Sequence, residues 1–137
     1  MQWRAAILGL GSLTLAIMSA GCSEECENTQ VFSRQSPDGR HTAILFERSC
    51  GATSGFTTQV SIVGEGQHEA AGAGNIFSAD TDHGRAVPAP WGGPFASVRW
   101  VTGRHLIVTY DAAARILASR TRIGEITVNY EPAAPGR

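Results

Sequence analysis

The chain has no lysine; all 11 of its strong bases are arginine, and against 12 acidic residues they leave a formal net charge of −1. There is neither a basic field for a phosphate backbone nor an acidic tail, so nucleic acid is excluded as a partner. Beyond the N-terminal segment no second apolar run is long enough to span a bilayer. No internal period marks a solenoid or propeller. The G-x-S-x-G elbow of a serine hydrolase is missing, as are the C-x-x-C of a redox pair and the ligand spacing of a zinc site. No cofactor fingerprint is present, and no acid, base and nucleophile stand together, so the sequence reads as non-enzymatic.

What the chain does have begins at its N-terminus. Arg4 is the only charge before Cys22. An uncharged run from Ala5 to Met18 follows, and the small residues Ser19-Ala20-Gly21 lead into Cys22. A basic start, an apolar middle and a small-residue exit make an export signal. Counted through Gly21, the uncharged stretch is about 17 residues long, at the lower edge of a membrane span, and its Gly, Ser and Thr residues weaken it as one. Ordinary secretion and an uncleaved anchor are the alternatives. With cysteine at its exit, the segment resembles a bacterial lipoprotein signal, although Ser19 stands where such signals usually carry an aliphatic residue. The resemblance implies that residues 1–21 are removed and that Cys22 becomes an acylated first residue holding the protein on a membrane. Ser23 resembles the sorting residue of lipoproteins placed in the outer membrane, facing the periplasm.

With Cys22 assigned to lipid, Cys26 and Cys50 remain, and an even pair in an oxidising compartment suggests a disulfide. It would close a loop of about 25 residues and stabilise by roughly 3.5 kcal/mol in the chain-entropy model. Free redox thiols or metal ligation are the other uses of two cysteines, and neither has its usual spacing.

Residues 22–29 read as a polar, acidic tether, 30–131 as one domain and 132–137 as a disordered tail. Ser36-Pro37-Asp38-Gly39 is a turn, with Pro presetting one dihedral and Gly accepting positive φ. It joins a short strand at Gln30–Ser33 to a strand at His41–Arg48, whose continuous Ala43-Ile44-Leu45-Phe46 predicts burial on both faces. Cys50–Gly55 is a small-residue loop. Phe56–Val63 predicts a strand with Phe56, Thr58, Val60 and Ile62 on one face. Gly64–Gly74 predicts a mobile loop, Asn75–Ala79 a short strand, and Asp80–Pro94 an irregular stretch. Ala96–Val101 and His105–Tyr110 flank a turn at Thr102-Gly103-Arg104. Asp111–Ala114 predicts a turn followed by extended chain to about Arg120, with a short helix as the alternative. Glu125–Tyr130 is the last strand. The fold class is all-β: a small antiparallel meander, sandwich or curled sheet of about six to eight short strands.

Ser36-Pro37-Asp38-Gly39-Arg40 followed by an apolar strand resembles a repeat unit of periplasmic β-propellers, present here once. Ser36–Gly39, Cys50–Thr53, Phe56–Ile62, Asp80–Gly84 and the Trp100–Tyr110 hairpin together resemble landmarks of small, uncharacterised bacterial envelope lipoproteins. The resemblance implies a small exported β domain and carries no activity with it.

Asp80, Asp82 and His83 concentrate polar chemistry. A calcium loop would need more oxygen ligands ending in Glu, so an Asx-rich turn is the simpler use. Trp91, between Pro and Gly residues, is either a binding anchor or a lid folded onto the end of the core. With Phe56, these residues form the candidate binding surface. The expected function is that of a lipid-anchored, non-catalytic binding or accessory module with an envelope protein partner. The alternatives are an inhibitor or protection lipoprotein presenting 80–94 or 51–56 as a rigid loop to a hydrolase, and a small hydrolase with a pocket joining His83 to an Asp and a hydroxyl.

Overall fold

A computed structural model describes residues 25–134. The signal at 1–21, Cys22, Ser23 and the end of the tail at 135–137 lie outside the described residues. Nine strands follow one another, with no helix among the described residues: β1 (Glu27–Gln35), β2 (His41–Ser49), β3 (Thr57–Gly64), β4 (Phe77–Asp80), β5 (Ala96–Thr102), β6 (His105–Asp111), β7 (Arg115–Ser119), β8 (Arg122–Ile123) and β9 (Ile126–Ala133). They form one sheet in the order β1-β2-β3-β4-β7 and a second in the order β5-β6-β9-β8.

Local chemistry builds the first hairpin. Gly39 takes a φ of 73°, a conformation that costs glycine nothing. The Ser36 hydroxyl donates to the Asp38 carboxylate at 2.6 Å, and the Arg40 N–H donates to the same oxygen at 3.2 Å. These bonds, the Ser36 hydroxyl foremost, hold the Asp38 carboxyl below its ordinary range. The turn therefore carries its own hydrogen-bond partners instead of borrowing them from the sheet.

Alternation along the strands separates two faces of the first sheet. Ala43 and Leu45 of β2 stand opposite Ile62 and Val60 of β3. They meet Phe77 and Ala79 of β4, Val98 of β5, Leu106 and Val108 of β6, and Ile126 and Val128 of β9 in one apolar core shared by the two sheets. On one flank Trp100 closes the sandwich, its indole N–H donating to the Arg34 carbonyl at 2.9 Å. On the other, the Tyr130 hydroxyl lies 2.7 Å from the carbonyls of both Ile76 and Arg120. Burial pushes this phenol up to about 12.

The second face of β2 and β3 explains the continuous apolar run. Ile44 and Phe46 are fully buried but stand away from the shared core, opposite Ser61 and Gln59. The 64–75 connection crosses this face and is held there. Asn28 donates to the carbonyls of Ala70 and Gly72 at 3.1 and 2.7 Å. The Gly74 N–H donates to Gln59 Oε1 at 2.6 Å, and the Asn75 N–H to Ser61 Oγ at 3.1 Å. A Cβ at Gly74 would lie 2.6 Å from the Phe77 carbonyl oxygen and 2.9 Å from that of Val60. The expected mobile loop is thus a pinned cover.

Other expectations are corrected as well. β1 begins at Glu27, inside the expected tether, and β9 includes Pro132 and Ala133, inside the expected tail. The second sheet is mixed, because β6 and β9 pair in parallel. The chain leaves β6 for the first sheet at β7 and returns through β8, and that excursion reverses the direction a hairpin would impose. Phe56 stands outside β3 and is half exposed, while Thr58, Val60 and Ile62 face inward. At 111–114 the turn prevails over the helix: the Ala113 N–H donates to Asp111 Oδ1 at 2.8 Å and the Ala114 N–H to the Asp111 carbonyl at 2.9 Å, after which β7 runs extended.

Candidate functional site

The register of the first sheet gathers one set of strand ends. Glu27 faces Ser49, Arg48 faces Thr57, Thr58 faces Ala79, and Asp80 faces Arg115. The Cys26–Cys50 disulfide closes the same end. Here the 51–56 loop and the turn after β4 border an open cleft of about 480 Å³, lined by Thr53, Ser54, Phe56, Asp80, His83, Arg115 and Leu117 among others.

Asp80 anchors the polar half. Its carboxylate accepts from Arg115 through Nε at 3.1 Å and through Nη2 in a second, shorter contact. The Asp82 N–H adds a third bond at 2.9 Å. Arg115, then the Asp82 amide, outweigh partial burial and hold the Asp80 carboxyl below its ordinary range. The turn that follows is unusual in its backbone: Asp82, His83 and Gly84 have φ of 49°, 58° and 87° in succession. Asp and His tolerate the left-handed region better than most residues, and Gly without cost. Arg85 N–H to the Asp82 carbonyl and Ala86 N–H to the Thr81 carbonyl close the turn. His83 is thereby turned outward, exposed, onto the cleft rim.

Phe56 and Leu117 form the apolar half, 50% and 51% exposed. Phe56 lies over Gly92, where a Cβ would come within 2.8 Å of the ring. Leu117 sits at an irregularity in the pairing of β4 with β7, whose residues are all exposed.

Of the residues expected to bind, Phe56, Asp80 and His83 therefore share one cleft. Asp82 belongs to the same turn but pairs with Arg85 at 3.3 Å. Trp91 is a lid: its indole N–H donates to Thr58 Oγ1 at 2.8 Å, it packs against the shared core, and the Thr58 hydroxyl in turn donates to the Pro94 carbonyl at 2.6 Å. Arg115 and Leu117 were not singled out for this cleft by sequence reasoning. Arg115 is 35 residues from its partner Asp80, and no local pattern announces a pair so far apart.

Chemically, the cleft can offer an aromatic face, an aliphatic side chain, a fixed ion pair, an imidazole and several hydroxyls. It joins His83, an Asp and hydroxyls, as a hydrolase would require. The Asp80 oxygens, however, are occupied by Arg115 and a backbone amide, and the Ser54 hydroxyl points to the Gly51 carbonyl at 3.3 Å. Among the described residues no hydrogen bond links His83 to either, and no group of three or more His, Cys, Asp or Glu is placed to hold a metal ion. No family model, curated protein or solved structure matches the chain. The reading of this site rests on its own geometry.

Proposed function

We propose that the protein is a lipid-anchored, non-catalytic binding module of the bacterial cell envelope, tethered through Cys22 to the outer membrane on its periplasmic side, and that the cleft beside the disulfide is its binding surface. One observation carries the assignment of the surface: half-exposed Phe56 and Leu117 share a cleft with a fixed Asp80–Arg115 pair and an outward imidazole. Apolar surface set beside a few oriented polar groups is the composition of a ligand site. The lipoprotein-type signal supports the location.

A photo-cross-linking residue at Thr53, on the cleft rim, is expected to form an adduct in cells. The same residue at Thr102, at the other end of the strands, is expected to form none. Equal labelling at both positions, or none at Thr53, would reject the cleft. Mass spectrometry of the mature N-terminus is expected to find acylated Cys22. Ester or amide hydrolysis lost in His83→Ala would reject the non-catalytic reading.

A second reading, an inhibitor or protection lipoprotein acting on a hydrolase, draws on the bracing of 80–94. Ala89 N–H donates to the Gly93 carbonyl and Gly92 N–H to the Ala89 carbonyl, each at 2.8 Å, while Pro88 bridges Pro94. A stiff loop of this kind loses little entropy on insertion. A cross-linked hydrolase whose activity falls on adding the domain would favour it.

A further inference from the structure

The tether and the cleft lie at the same end of the molecule. Cys22 is four residues from Cys26, a stretch that spans at most about 14 Å. Cys26 is bonded to Cys50, and the loop after Cys50 carries Phe56. The register places Thr57, Asp80 and Arg115 in line with that disulfide. A short tether pinned by a covalent bridge therefore leaves little freedom over which end of the sandwich meets the bilayer.

Exposed apolar surface is distributed in the same way. The exposed large hydrophobic residues among those described are Phe56, Val87, Val101, Ile116 and Leu117. Phe56, Ile116 and Leu117 belong to the tether end. Val87 lies in the loop that leaves from Asp80 and is tied back to Thr58 through Trp91. Val101 alone belongs to the opposite end. A surface meant for water would have no reason to concentrate these side chains beside the anchor.

Resting on the lipid-anchored reading above, we infer that the cleft's ligand is the lipid interface itself: the tether end of the sandwich lies on the leaflet that holds the Cys22 acyl chains, with Phe56 and Leu117 entering the boundary between headgroups and acyl chains. The charges at this end do not favour anionic lipid. Asp80 and Asp82 are matched by Arg115 and Arg85; Glu25, Glu27 and Glu47, in no ion pair among the described residues, outnumber Arg48, whose guanidinium donates to Asn28. Contact is apolar, and added salt does not weaken it.

The test uses the mature acylated protein in vesicles of phosphatidylethanolamine and phosphatidylglycerol. With Cys22 acylated and Cys26 bonded to Cys50, a single introduced thiol takes a nitroxide label. Leu117→Cys and Val101→Cys place it at the two ends. The label at position 117 is expected to be several-fold less accessible to a water-soluble nickel chelate than the label at 101, and more accessible to oxygen, in low and high salt alike. Equal nickel accessibility at the two positions, or a contrast that salt abolishes, overturns the inference while leaving the anchor and the cleft standing. A protein that carries no acyl chain overturns the inference together with the anchor.

Discussion

Two connections flank β3, both rich in glycine, alanine and small polar residues, and they fold in opposite ways. The 64–75 connection lies flat on the outer face of β2 and β3, bonded by Asn28, Gln59 and Ser61. The 50–56 connection stands away from the sheet, is exposed throughout 51–56, and is held at its start by the disulfide. Small side chains permit either outcome. What decides is whether the strands beneath offer polar side chains that reach the loop's backbone, and whether apolar side chains there need a cover. Ile44 and Phe46 supply that need on one side. At the other, Phe56 itself is the exposed apolar group, and none of the described residues covers it fully.

The strongest way to break this contrast is to remove the covalent hold on the open loop. Cys26→Ser with Cys50→Ser is expected to cost about 3 kcal/mol in chemical denaturation. Native-state hydrogen exchange should quicken at 50–56 and at the start of β1 well beyond what it does at 64–75. Equal quickening in both loops would mean that they are held by one cooperative unit.

Next in size is the pinned loop. Gly74→Ala sets a methyl against two backbone carbonyls, at 2.6 and 2.9 Å. Backbone yields less than side chain, so a loss of about 2–3 kcal/mol is expected from thermal unfolding. The cleft at the tether end, built by other elements, should keep its cross-linking.

How far the sequence could be read follows from the range of each interaction. The Ser36–Gly39 turn, the Thr102–Arg104 turn and the Asp111 turn are written in neighbouring residues, and they formed where propensity placed them. The Cys26–Cys50 pairing followed from elimination once Cys22 was set aside. The double-sided burial of β2 was legible in four consecutive apolar residues, but its cover was not. Asn28 and Gly72 meet across 44 positions, and a run of small residues reads as mobile when its anchor lies on another strand. The same limit hid the parallel pairing of β6 with β9 and the partnership of Asp80 with Arg115. Phe56 was expected to extend the inward face of β3. That face begins two residues later, at Thr58, because Gly92 and Gly93 close over the strand's start and leave the ring outside.

A smaller perturbation removes the cover's outer fastening without crowding it. Asn28→Ala deletes two bonds to the loop carbonyls and the acceptor of the Arg48 guanidinium, 2.6 Å away. About 1–2 kcal/mol should be lost, because the partly buried Ala70 carbonyl and the Arg48 guanidinium both lose a partner. Exchange should rise at 70–73 and remain unchanged at 50–56, the reverse of the cysteine variant.

The finest distinction lies between two carboxylates near the tether end. Asp80 is held in its charged form by Arg115, so its folded pKa lies below the unfolded one. Its contribution is present above the ordinary aspartate value of 3.8 and fades as pH falls through the lower folded value. Glu47, opposite Thr58, has a buried Oε1 that finds no hydrogen-bond partner among the described residues. Burial, aided by the nearby Glu27, raises its carboxyl above the ordinary 4.5, although the Thr29 hydroxyl offsets part of the effect. The sign is reversed: the folded state binds the proton more tightly, so Glu47 subtracts stability as pH rises from 4.5 through the folded value. Glu47→Gln should therefore stabilise the domain at neutral pH by up to about 1 kcal/mol, with the gain vanishing in acid. Asp80→Asn should destabilise it at neutral pH and match the parent in strong acid. Denaturation midpoints at several pH values would separate the two, and a Glu47→Gln that destabilises at neutral pH would show that Oε1 too has a partner.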